Sequence, residues 1–211
     1  MPKPHLLPTL VLAAVLLLPA TAAHAQDEVA DSPVPGAAVV AADTRLDELQ
    51  ALVPDNLAGL PLRDELQLAT GEGLADVMTE DERTVLEGML QANGKTFADY
   101  AAASTTLSIT DDDLVVVQAH RVSDVDASGT VDTWVEVLGL SAGEPLISTE
   151  VIAGRDVTLV SDAARPDFPQ LFLFPAGDVV WMVVAADRAL VDEAVDVLAT
   201  SSEPEEAATA E

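Results

Sequence analysis

The residues best placed to do chemistry stand in one short stretch, Asp124, Asp126, Ser128, Gly129, Val131 and Asp132. Side-chain oxygens fall at its first, third, fifth and ninth positions, with glycine at the sixth and an apolar residue at the eighth. A hard cation such as calcium takes six to eight oxygen ligands, and this alternation turns them towards one point while glycine allows a sharp bend. Asp111, Asp112 and Asp113 form a second acidic group. Three successive acids suit a solvated turn between strands as well as a cation. His120 is the only histidine after residue 25, and a single imidazole serves as a general base or as one ligand among several.

The stretch from Asp124 resembles the first nine positions of an EF-hand or dockerin-type calcium loop. The resemblance implies calcium held by Asp124, Asp126, Ser128 and Asp132. Two departures weigh against it. Val135 occupies the twelfth position, where a bidentate acid closes the calcium shell, and Glu136 comes one residue late. The segment before the loop also reads as a strand rather than a helix. The competing expectation is an N-cap, in which Asp126 or Ser128 accepts from the first amides of the following helix. His120, at the end of a valine-rich strand, is expected to be a partly buried histidine with one hydrogen-bond partner.

Other catalytic equipment is missing from the sequence. There is no G-x-S-x-G elbow, no G-x-x-x-x-G-K-[ST] and no G-x-G-x-x-G. The stretch from Asp126 to Thr130 lacks the spacing of an aspartic-protease box and has no second copy. Gly71, Glu72 and Gly73 read as a loop whose acid suits anions poorly. With no cysteine in 211 residues, thiol nucleophiles, iron–sulfur clusters and thiolate zinc sites are excluded. A glycosidase needs only two acids at the right separation, and 37 acids leave that open.

The formal net charge is −28, and every acid lies after residue 25. Such a field repels nucleic acid and anionic membranes, which are bound through lysine and arginine. It favours cations, a basic partner or plain solubility. Residues 1–25 read as a cleavable secretory signal peptide. Lys3 and His5 begin it, a short apolar run follows, and Ala23 and Ala25 stand where a signal peptidase requires small residues. The run is shorter than the roughly 20 apolar residues a spanning helix needs. The expected product is secreted, cysteine-free and free of the membrane after cleavage.

The elements that position these residues follow from periodicity. Residues 26–43 read as a flexible linker, 44–200 as a single domain and 201–211 as a disordered acidic tail. Leu46, Leu49 and Leu52 predict a helix over 44–52, and Leu62, Leu66 and Leu68 suggest a strand. Thr79 to Glu82 form a capping box opening a helix that Asn93 and Gly94 close. Strands are predicted over 100–109 and 114–122, then a helix over 128–138 carrying Trp134. Two hairpins follow, 146–152 with 157–161 and 170–174 with 179–185, and Asp187 caps a last helix. Phe172, Phe174 and Trp181 should pack across the second hairpin.

The fold class is therefore α+β, an antiparallel sheet with helices mainly on one face. The first six elements match the ferredoxin-like β-α-β-β-α-β order, extended by two hairpins and a C-terminal helix. The leading functional expectation is a non-enzymatic extracellular module that binds a protein or polymer. The alternatives are a carboxylate-based extracellular hydrolase and a calcium-stabilised structural module. Two acids across a deep pocket would favour the hydrolase, and an exposed apolar patch would favour binding.

Overall fold

A computed structural model describes residues 36–108, 114–141, 145–163 and 170–202. The expected signal peptide, the first part of the linker, the acids at 111–113, Phe168 and nearly all of the acidic tail lie outside these residues. In chain order the elements are α1 (Gly36–Leu52), β1 (Asn56–Leu57), β2 (Leu60–Pro61), β3 (Gln67–Thr70), α2 (Gly71–Ala75), α3 (Glu80–Ala92), β4 (Tyr100–Ser108), β5 (Leu114–Val122), α4 (Val131–Ser141), β6 (Pro145–Ile152), β7 (Arg155–Asp162), β8 (Gln170–Ala176), β9 (Val179–Ala185) and α5 (Arg188–Ser202). Among the described residues no helix is long and apolar enough to cross a membrane.

The cap of α3 is the clearest case of sequence dictating local structure. Thr79 Oγ1 accepts from Glu82 N at 3.3 Å, while Glu82 Oε2 accepts from Thr79 N at 2.9 Å and from Thr79 Oγ1 at 2.8 Å. Both partners thus satisfy amides that a helix start leaves free. Thr79→Ala is expected to lower stability by about 1 kcal/mol, read from denaturant midpoints at unchanged m-value.

Seven strands form one antiparallel sheet in the order β3-β4-β5-β9-β8-β7-β6, and β1 and β2 form a separate two-stranded ribbon. Alternation along the strands sends side chains to two opposite faces. Ala101, Ala103, Val115, Val117, Phe172, Phe174, Trp181 and Val183 meet Leu49 of α1 and Val191, Val195 and Leu198 of α5. Tyr100, Ala102, Leu171, Leu173, Val180 and Met182 meet Leu86 and Leu90 of α3 and Trp134 and Leu138 of α4. Phe174 pairs with Trp181 in register, so the expected aromatic cluster forms across β8 and β9. Trp181 Nε1 donates to Ser202 Oγ at 2.8 Å, tying the end of α5 to the sheet.

The α+β class holds, with five corrections of detail. Helices cover both faces of the sheet rather than one, because β4, β5, β8 and β9 are apolar on both sides and bury both rows. The ferredoxin-like order does not form. That connectivity needs parallel neighbours, whereas every pairing here is antiparallel, β3 beside β4 and β5 beside β9. The strand expected from Leu62 to Leu68 reduces to Gln67–Thr70, with Leu62 buried outside it. In addition, the Gly71 segment read as a loop is the short helix α2, with Thr70 Oγ1 accepting from Gly73 N at 3.4 Å. Helix α1 begins at Gly36, inside the stretch read as linker.

Candidate functional site

Of the four oxygen-bearing residues in the stretch that resembles a calcium loop, Asp126 and Ser128 bond to each other, and Asp124 and Asp132 face elsewhere. Asp126 Oδ1 accepts from Ser128 N at 2.8 Å and Ser128 Oγ at 2.7 Å, capping a single 3₁₀ turn over Ala127–Gly129. These bonds hold the Asp126 carboxyl below its ordinary pKa. Asp124, at φ 57°, is ion-paired through Oδ2 with Lys95 Nζ at 3.2 Å. Asp132 sits in the first turn of α4 and lines a groove on its outer side. The helix itself begins at Val131, three residues later than expected, because the turn precedes it. Among the described residues no three His, Cys, Asp or Glu side chains converge as a metal site. Asp126→Ala is expected to lower the melting temperature by a few degrees through loss of the turn cap. Millimolar calcium is expected to leave that difference unchanged in parallel thermal scans.

His120 is buried, and its Nδ1 lies 2.7 Å from the Tyr100 hydroxyl. Its ring centroid is 4.1 Å from that of Trp134, and Nε2 is buried without a hydrogen-bond partner. Burial depresses its pKa to about 3 and raises that of Tyr100. This neutral imidazole packs the α4 side of the sheet, against Trp134. Arg121, its neighbour on β5, points to the opposite face and bridges Glu48 of α1 at 2.7 Å and Asp178 of the β8–β9 turn at 2.6 Å. It clasps α1 to the sheet.

Among the described residues the sheet also has an open edge at β6. Strand β6 ends the sheet, and Leu146, Ile147 and Val151 are 58%, 54% and 68% exposed. Between β6, β7 and α4 lies an open groove of about 590 Å³, lined by Asp132, Val135, Glu136, Gly139, Pro145, Ile147, Thr149 and Thr158. One transverse row explains its apolar floor. Val116, Val184, Leu171, Val160 and Ile147 follow each other in register across five strands. Val116 is partly buried, Val184, Leu171 and Val160 are buried, and the row emerges at Ile147, beyond the reach of α4.

The other face of β6 is pinned. Glu150 Oε1 accepts from Arg188 Nη1 at 2.5 Å, and the Arg188 guanidinium lies 5.6 Å from the Phe172 ring centroid. The strand is therefore tied to α5, while among the described residues no strand pairs with its outer edge. Sequence reasoning found the strand but not its edge position, which depends on the long-range pairing of β5 with β9. No family model matches the chain, and neither the curated proteins nor the solved structures contain a match to it.

Proposed function

We propose that the protein is a secreted, non-enzymatic binding module whose contact surface is the β6 edge and its groove. The observation that carries this reading is the emergence of an internal apolar row at Ile147, beside exposed Leu146 and Val151. Apolar side chains gathered at a sheet edge favour removal from water by a partner. The groove is open and shallow, and its two acids, Asp132 and Glu136, both lie on α4 rather than facing each other across a deep pocket. That arrangement supports binding over hydrolysis of an extracellular polymer.

The test is co-purification from culture medium with the Ile147→Lys, Val151→Lys double variant beside the natural chain. Both positions are exposed, so the variant should keep its circular dichroism and melting temperature. The natural chain is expected to retain a partner that the variant loses by at least about tenfold. Equal recovery on both would contradict the assignment of this surface.

A further inference from the structure

The turn between β6 and β7 fixes which backbone groups of β6 face outward. Ala153 and Gly154 both have positive φ, 50° and 78°, and Ile152 pairs with Arg155 across them. This is the two-residue turn whose twist suits a hairpin, and the pair flanking it exchanges both its hydrogen bonds. Pairing then alternates, so Ile152, Glu150, Ser148 and Leu146 bond to β7. Val151, Thr149 and Ile147 direct N–H and C=O to the free edge, joined by the Pro145 carbonyl. The same odd-numbered residues carry their side chains on the groove face, as the presence of Ile147 and Thr149 in its lining requires.

Backbone bonding capacity and the exposed apolar row thus belong to the same residues. Edge strands in folded proteins are commonly short, bulged, covered or guarded by lysine. The opposite edge of this sheet is short, since β3 has four residues. Strand β6 has eight, with no lysine, and its proline stands at the very first position. From this we infer that β6 accepts an extended peptide segment of another protein as an eighth, antiparallel strand, and that the segment is basic. The inference rests on the binding role proposed above and specifies its occupant.

Charge selects that occupant. The groove face offers Asp132 and Glu136 on α4, with Asp156 beside Val151 in register, and no basic side chain lines the groove. A second copy would bring the same acids and a further net charge of −28 to the seam. The chain's own segment from Gln26 to Pro35 carries three acids and no base, and its last nine residues are likewise acidic without a base. A partner strand with an apolar residue over Ile147 and lysine or arginine two positions to either side matches both the row and the rim. Its apolar side chain would continue the row that ends at Ile147.

The test uses the full secreted chain and an acetylated, amidated heptapeptide, Thr-Lys-Thr-Val-Thr-Lys-Thr, in isothermal titration at about 0.15 M salt. Two control peptides carry glutamate in place of lysine, or N-methyl groups on the lysines and valine, whose amides would face β6. The lysine peptide is expected to bind and both controls to bind about tenfold more weakly or worse. Thr149→Pro removes one outward N–H while sparing the β7 bonds, a substitution edge strands tolerate. It should weaken binding about tenfold at a nearly unchanged melting temperature. Equal binding of the N-methylated peptide, no binding of any peptide at about 1 mM, or unaffected binding by Thr149→Pro would overturn strand addition. So would a dimer in sedimentation that Thr149→Pro dissolves, since a second copy would then own the edge. Recovery of a medium partner, protein or polymer, by Thr149→Pro but not by the double lysine variant would leave the binding role standing and remove strand addition. Loss of that partner from neither variant would remove both.

Discussion

Acidification from pH 7 to pH 3 is expected to cost the natural protein several kcal/mol more stability than a Tyr100→Phe, His120→Leu variant. His120 has a folded pKa of about 3, against about 6.5 for an unfolded chain. The cause is burial, which penalises the imidazolium. Between those values the unfolded chain takes up a proton that the fold refuses, so stability falls as pH falls. The slope from this group reaches about 1.4 kcal/mol per pH unit and vanishes above 6.5 and below 3. Protonation of exposed carboxylates acts in the opposite direction by relieving repulsion within a chain of charge −28. The difference between the two proteins isolates the histidine. Removing both members of the Tyr100–His120 bond leaves no orphan and should keep stability at pH 7 within about 1 kcal/mol. His120→Leu alone should cost about 1–3 kcal/mol by stranding the Tyr100 hydroxyl. Urea midpoints across the pH range measure both effects, and parallel pH profiles would contradict the assignment.

Gly71→Ala is expected to destabilise the fold by about 3 kcal/mol or more. A Cβ at Gly71 would stand 2.1 Å from the Phe97 carbonyl oxygen and 3.0 Å from Tyr100 Cβ. The obstacle is backbone, in the 3₁₀ turn Phe97–Asp99 that leads directly into β4. That turn is itself fixed, with Asp99 Oδ2 accepting from Thr96 N at 2.9 Å. Helix α2 can therefore clear the new methyl only by lifting from the start of β4, where Tyr100 meets His120. Gly88→Ala is the control. Its Cβ would meet nothing within 4 Å in the middle of α3, so it should stabilise by about 0.5–1 kcal/mol. Thermal scans on both variants, shifting in opposite directions, would separate steric conflict from a general intolerance of alanine.

What the sequence reveals here is what local chemistry decides. The capping residues of α3 and the β-branched run of β5 act within a few residues, and both elements lie where their patterns place them, while both expected hairpins form with their connections tightened from 153–156 and 175–178 to the turns Ala153–Gly154 and Gly177–Asp178. Strand order escapes such reasoning because it depends on the pairing of Val116 with Val184 and of Ala119 with Trp181, more than 60 residues apart. For the same reason the alternation of β8 and β9 could be read as one buried face when both are covered. Gly71 shows a different gap. Glycine in sequence signals a turn, whereas here it admits the backbone of Phe97. The proposed contact surface lies on a strand, Pro145–Ile152, whose exposed apolar residues Leu146, Ile147 and Val151 follow no pattern that marks an edge.

Amide hydrogen exchange of the chain, free and in complex with the partner recovered from medium, tests the β6 assignment most directly. In the free protein the amides of Ile147, Thr149 and Val151 should exchange fast, while those of Leu146, Ser148, Glu150 and Ile152 are protected by β7. In the complex the first three should slow by at least about tenfold, with the second four little changed. Uniform protection of all seven in the free chain, or protection by the partner at another part of the sheet, would contradict the account.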